Sequence, residues 1–359
     1  MAVPNEATSV VPERRRSTPR AVVAGAREFS RHPASWVFGI DVLLVLVFGV
    51  INSDFFKASN FTDMALDSSQ VVLLAVGSAV LLSAAELDIS LGANVILSSA
   101  VGGRVMVSVA AVNPVTLLTY RHLGAGIAAG VAAAVATGTV FGLVNGLIVT
   151  RLRVNSFITT LGTLGIGTGV ALVVTGGSNV QGIPLPFQSH FGTSTVASIP
   201  LPALLTLLLV AAIWVVVAFT RFGLHTVAIG SSRTAARRAG LAIDRRVLTL
   251  FTLVGFLAGV CGVIDLSRFG TTNLSGHQTD ALSAIAGAVI GGTNLFGGRI
   301  SIPGAIFGAA LAVILQTGLV ILGLDPFYQQ IAIGVVLVIA VFIRTRALET
   351  DKSGLRALT

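Results

Sequence analysis

Long apolar runs separated by short polar connections set the frame of this chain. Ten runs can be traced, at 36–51, 64–85, 89–112, 124–149, 156–174, 199–220, 247–264, 281–296, 302–322 and 327–343. Their lengths cluster around the roughly 20 residues that an α-helix needs to cross a bilayer. The alternation of a membrane β-barrel strand is missing from them. The pattern predicts an all-α, polytopic integral membrane protein with about ten transmembrane helices. Two runs, 36–51 and 281–296, are short for a full crossing. Gly287, Gly291 and Gly292 interrupt the second, which predicts a broken or re-entrant segment there.

Composition strengthens that picture. Apolar residues make up 54% of the chain and charged residues 11%, against about 25% charged in a soluble domain. Mean hydropathy is +0.91. Forty glycines imply close helix approach and helix breaks, both tolerated where backbone is covered by protein. Cys261 lies alone in an apolar run and reads as a small core residue.

Charge sets orientation. A net charge of +8 raises the question of nucleic acid. The arginines sit at the ends of apolar runs, as membrane topology demands, so no nucleic-acid partner is expected. With the amino terminus inside and ten crossings, only Lys57, Arg121 and Arg268 fall outside and Arg104 falls within a span. Both termini are therefore expected in the cytoplasm. Residues 1–33, with Arg14, Arg15 and Arg16 between prolines, read as a disordered cytoplasmic tail that can meet anionic lipid. The membrane domain covers 34–346, and 347–359 form a second cytoplasmic tail. Stretches 175–198 and 265–280 are expected outside, as a docking surface or vestibule or as plain solvated loops.

The polar island 230–241 stands out between two apolar runs. Its small residues and arginines predict one or two turns of slim helix, ended by Gly240. Ala235 and Ala236 let such a helix enter a groove, and Arg237 and Arg238 can meet acidic groups at its rim. A basic loop with no partner is the alternative. Neither lysine, Lys57 or Lys352, follows a glycine-rich turn, so a P-loop is excluded and an ATP-driven chain of this kind must borrow its ATPase. The five histidines have no metal-ligand spacing. Among ionisable groups in or near spans, Asp41, Glu86, Asp88, Arg104 and Asp265, Asp41 is the best candidate for a buried acid.

Several blocks, in order, resemble the permease subunits of bacterial ATP-binding-cassette importers of the ribose/xylose type. They are Leu87-Asp88-Ile89-Ser90-Leu91-Gly92, Val144-Asn145-Gly146-Leu147, Arg153-Val154-Asn155-Ser156-Phe157-Ile158-Thr159-Thr160, the island 230–241, and Gly291-Gly292-Thr293-Asn294-Leu295-Phe296-Gly297-Gly298. Two departures stand. Ala281 and Ser283 replace a pair of acids common before the glycine block, with Asp280 displaced by one position. The block from Gly297 to Ser301 is also short.

The resemblance implies a non-catalytic, multi-pass subunit of the bacterial plasma (inner) membrane, working with a second permease copy. A cytoplasmic ATPase would bind ATP and magnesium and would grip the coupling segment Gly230, Ser231, Arg233, Ala235, Ala236, Arg237, Arg238 and Gly240. An extracytoplasmic binding protein would deliver a monosaccharide, pentose or hexose. The same architecture serves a nucleoside, an amino acid or a signalling sugar, and an ion-coupled carrier is the remaining alternative. Candidate pathway-lining residues are Asp88, Ser90, Asn145, Asn155, Phe157, Thr159, Asn294 and Gln316. The polar ones can equally be glue between helices.

Overall fold

The computed structural model describes residues 33–113 and 116–325, with Tyr328, Ile331, Gly334, Val335 and Val338 beyond. The tails expected at 1–33 and 347–359 and nearly all of the run at 327–343 lie outside the described residues. Among the described residues eight helices are long and apolar enough to cross a membrane. They are α1 (Pro33–Ile51), α2 (Ala58–Ser83), α3 (Leu91–Ala110), α4 (Leu123–Arg151), α5 (Ser156–Thr175), α6 (Leu201–Phe219), α9 (Ile243–Phe269) and α11 (Ile302–Ile321). Two short helices, α7 (Arg221–Ser231) and α8 (Arg233–Arg238), connect α6 to α9. The half-length helix α10 (Asp280–Ile290) precedes α11. A two-residue hairpin, Thr195–Val196 with Ile199–Pro200, leads into α6.

Two expectations are corrected. The first run is long enough to cross, because its helix begins at Pro33, where proline's fixed φ suits the first helical turn. Asp265 does not begin an outer loop. It lies within α9, which continues to Phe269 and stops at left-handed Gly270 (φ +63°).

The core forms around α2 and α9, whose apolar windows are 72% buried, against 22% for α1, α4 and α6. The outer helices keep large apolar side chains such as Leu207, Leu208 and Val173 exposed, which is the arrangement lipid requires. Helix α4 is held by a stripe of small residues at every fourth position, Gly130, Ala134, Gly138, Gly142 and Gly146. Side chains four apart share one face. There α4 meets α9 so closely that a Cβ on Gly138 would stand 2.5 Å from the backbone of Gly259. Lipid supplies no hydrophobic drive between helices, so this backbone proximity and its dispersion contacts carry the packing.

The links sort into two ends. At one end the 84–90 link, the start of α5, the α7–α8 elbow and the 291–301 link meet. Leu87 N–H donates to Ser156 Oγ (3.3 Å), Ile89 N–H donates to Thr160 Oγ1 (3.2 Å), and Gly298 N–H donates to the Ser83 carbonyl (3.0 Å). At the far end, Val180 N–H donates to Thr272 Oγ1 (2.9 Å) and Arg268 pairs with Asp67. Arg104, at the far end of α3, donates to the Val174 and Thr175 carbonyls (3.1 and 2.9 Å). It thereby satisfies acceptors that the end of α5 leaves open.

Candidate functional site

The elbow is a clamp with one free face. Ser232 caps α8, its Oγ accepting from Ala235 N–H (3.2 Å), and Gly240 follows with φ +78°. The helical turn and its glycine stop thus stand where the sequence places them. Gly230 packs on the Ser83 carbonyl and on Gly298, so two links and the elbow share one contact point that only glycines allow. Arg233 is ion-paired to buried Glu86 of the 84–90 link.

Three members of the expected coupling segment therefore look inward: Gly230 packs on backbone, Arg233 is spent on Glu86, and Ala236 is buried. The side chains of Arg237 and Arg238 are exposed and form no hydrogen bond or ion pair among the described residues. Two clefts of about 390 and 430 Å³ flank Leu241 and Ala242. Arg245 lines both, and Arg151 and Arg237 line the larger. The free face is thus strongly basic.

Gly240 also shows why the elbow needs its glycine. A Cβ there would meet open space, so the constraint is the left-handed backbone alone. Gly240→Val is expected to destabilise the elbow by about 1–2 kcal/mol and to lower transport, while Gly240→Asn, which tolerates that region, stays near wild type. Uptake assays of the two variants side by side check this; equal activity of both refutes it.

Behind the elbow three of the expected pathway residues come together, but as buried glue. Ser90 donates to Asp88 Oδ1 through its N–H (2.8 Å) and its hydroxyl (2.6 Å), and Asn145 Nδ2 donates to Ser90 Oγ (2.9 Å). Burial pushes the Asp88 carboxyl up from its ordinary range, against hydrogen bonds from Ser90 and Asn145 that pull it down. This cluster ties the 84–90 link to α4. Thr159 is buried, with its hydroxyl unpartnered among the described residues. The other candidates lie apart. Asn155 caps α5, accepting from Phe157 N–H (2.9 Å), and Phe157 is exposed at that end. Asn294 folds the 291–301 turn by donating to the Gly297 carbonyl (2.8 Å). Gln316 is exposed on α11. Asp41 is buried in α1, and neither of its carboxylate oxygens has a partner among the described residues.

The broken crossing expected near 281–296 is present, and what sequence reasoning missed is its anchor at His277. Residues 270–279 leave the far end unwound, and α10 completes the passage to the elbow end. Thr271 and Thr272 bond Val180 of the outer link, and Thr272 packs beside Gly103 of α3. Five residues later the His277 carbonyl rests on Gly92, at the opposite end of α3. Those two glycines are about 16 Å apart along the helix, so the leg from Thr272 to His277 runs alongside α3. His277 is buried, with Nε2 2.9 Å from Asp265 Oδ1 and Nδ1 2.7 Å from Asp280 Oδ2. A carboxylate only accepts, so both ring nitrogens donate and the ring is an imidazolium clasped between α9 and α10. The displaced acid, Asp280, has a partner after all, and the signal was the His-x-x-Asp spacing across a helix start.

Beside the clasp a groove of about 540 Å³ opens between α3 and α5. Ile89, Gly92, Gly165, Thr168, His277 and Gln278 are among its lining. Its walls are apolar or small, with a few polar groups where the unwound leg turns into α10. Ligand sites at broken helices in membrane proteins have this form.

A family model described as "Branched-chain amino acid transport system / permease component" matches residues 60–341. The chain is 32% identical over 302 residues to the ribose import permease protein of Bacillus subtilis (strain 168), covering 84% of this chain and 89% of that protein. It is 29% identical over 305 residues to the D-allose transport system permease protein of Escherichia coli (strain K12), covering 85% and 89%. It is 32% identical over 296 residues to the autoinducer 2 import system permease protein of Yersinia pestis (strain Pestoides F), covering 82% and 79%. No solved structure gives a significant match.

Proposed function

The chain belongs to the family of branched-chain amino acid transport system permease components, and from that membership we propose that it is the translocating subunit of an ATP-binding-cassette importer for a monosaccharide. It is a multi-pass protein of the bacterial inner membrane. In this reading the elbow end faces the cytoplasm and both termini lie there. A separate ATPase, which would bind ATP and magnesium, docks on the elbow, and a binding protein delivers cargo at the far end. A second copy of the permease completes the pathway.

One observation carries the reading: a short capped helix, clamped from behind through Arg233 and Gly230, presents Arg237 and Arg238 unpaired. A membrane bundle gains nothing internally from two such charges, whereas a partner with an acidic rim does. The choice of cargo is supported by the three relatives, whose names give ribose, D-allose and autoinducer 2. It is supported also by the groove. An amino acid zwitterion needs a fixed charge for its carboxylate or its ammonium. The groove's ionisable lining residue, His277, has both nitrogens committed to aspartates.

The test is reconstitution in liposomes with and without the ATPase and binding protein. ATP-dependent uptake of D-ribose or D-allose is the expected result. Uptake by the chain alone without ATP overturns the reading.

A further inference from the structure

The groove beside α10 holds a polar side chain with no role in the fold. Gln278 is exposed in the groove lining and makes no hydrogen bond to protein among the described residues. Its neighbours are either saturated or inert. Thr168 spends its hydroxyl proton on the Leu164 carbonyl (2.9 Å), leaving only acceptor capacity. His277 is fully occupied by Asp265 and Asp280. Ile89, Gly92 and Gly165 offer no polar side chain. Gln278 therefore supplies the side-chain donor of this set, and its amide also accepts. Hydroxyl groups need that pair of roles.

Gln278 follows His277 in an unwound leg, which by itself fixes no side chain. The fixing comes from the preceding residue, His277. Asp265 stands on α9 and Asp280 in the first turn of α10, so the imidazolium joins a continuous helix to the start of a broken one. The His277 carbonyl seats on Gly92, where any side chain would collide with it. Three contacts, two ionic and one steric, thus hold a single non-helical residue from three elements.

We propose that Gln278 is the side chain that meets the cargo in this groove, and that His277 is the positioning residue that holds it there. This rests on the groove being the transport pathway.

The experiment uses the full transporter in liposomes, with its ATPase and binding protein. Gln278→Ala is expected to raise the KM for D-ribose or D-allose uptake about tenfold, the effect of one lost hydrogen bond to cargo. Gln278→Cys is then labelled with a water-soluble methanethiosulfonate, since the native cysteine, Cys261, is buried. Rapid labelling is expected, with the rate changing about fivefold or more when His277→Asn is added. If His277→Asn fails to fold, Asp280→Asn gives the same readout with the shape conserved. A KM within twofold of wild type, an unreactive Gln278→Cys, or a labelling rate indifferent to the clasp variants overturns the assignment. ATP-independent uptake by wild type instead overturns the importer reading and leaves the labelling result standing.

Discussion

Replacing Arg237 and Arg238 together by glutamate is expected to lower ATP-driven uptake by about two orders of magnitude, with the membrane domain folded as before. Truncating one member of a desolvated charge pair at an interface costs about 2–5 kcal/mol, and a tenfold loss of affinity is 1.4 kcal/mol. Reversing two charges against an acidic rim adds repulsion to that loss. The fold is spared because both side chains are exposed and bond nothing among the described residues. Arg233→Glu is the contrasting variant. It places an acid against buried Glu86 and is expected to loosen the elbow itself, lowering the unfolding midpoint as well as uptake. Co-purification of the ATPase, ATP-driven uptake and detergent unfolding separate the two cases. Normal uptake by the double glutamate variant removes the elbow as the contact.

The largest effect on stability is expected at the crossing of α4 and α9. A Cβ on Gly255 would fall on the Gly138 carbonyl and 2.7 Å from the Gly142 backbone, and backbone on both sides leaves no flexible side chain to yield. Overpacking in a tight core costs typically 1–3 kcal/mol and sometimes more. Gly255→Leu is expected to cost at least about 3 kcal/mol, because here two helix axes must separate. Gly162 on α5 is the internal control, since a Cβ there meets nothing within 4 Å. Gly162→Ala should be neutral or stabilise by up to about 1 kcal/mol, from helix propensity alone. Titration with a denaturing detergent, followed by circular dichroism, compares them. Equal midpoints for the two variants would show that the crossing is looser than drawn.

Much of this was legible in the chain because lipid makes sequence unusually explicit. Apolar run length gave the helices, with ends displaced by a few residues where caps such as Asn155 and Gly270 decide. The elbow was legible because a basic, small-residue island has no reason to exist between two spans. Its internal division was not. Nothing in the order of residues says that Arg233 turns in to Glu86, 147 positions away, while Arg237 turns out. The expected pathway residues were chosen for polarity, and polarity in a membrane core marks glue as readily as passage. Asp88, Ser90 and Asn145 are chained together by hydrogen bonds, with Asn145 Oδ1 left over among the described residues. Apart from the His-x-x-Asp spacing, nothing in its local sequence marks His277 as more than a loop histidine without metal-ligand spacing. Its partners come from two segments whose meeting depends on the leg at 270–279 being unwound. Local pattern cannot announce that, although the short run at 281–296 hinted at it.

Helix α10 has one end at Gly291, where the glycine turn rests on Gly230 and Ser83, and the other at the histidine clasp. Eleven residues of helix make a strut about 16 Å long. Its shaft meets α11 at Gly287 and Gly308, where bare backbone faces bare backbone. On the importer reading, a displacement at the basic face has this strut as its direct route to the histidine clasp in the middle of the bundle.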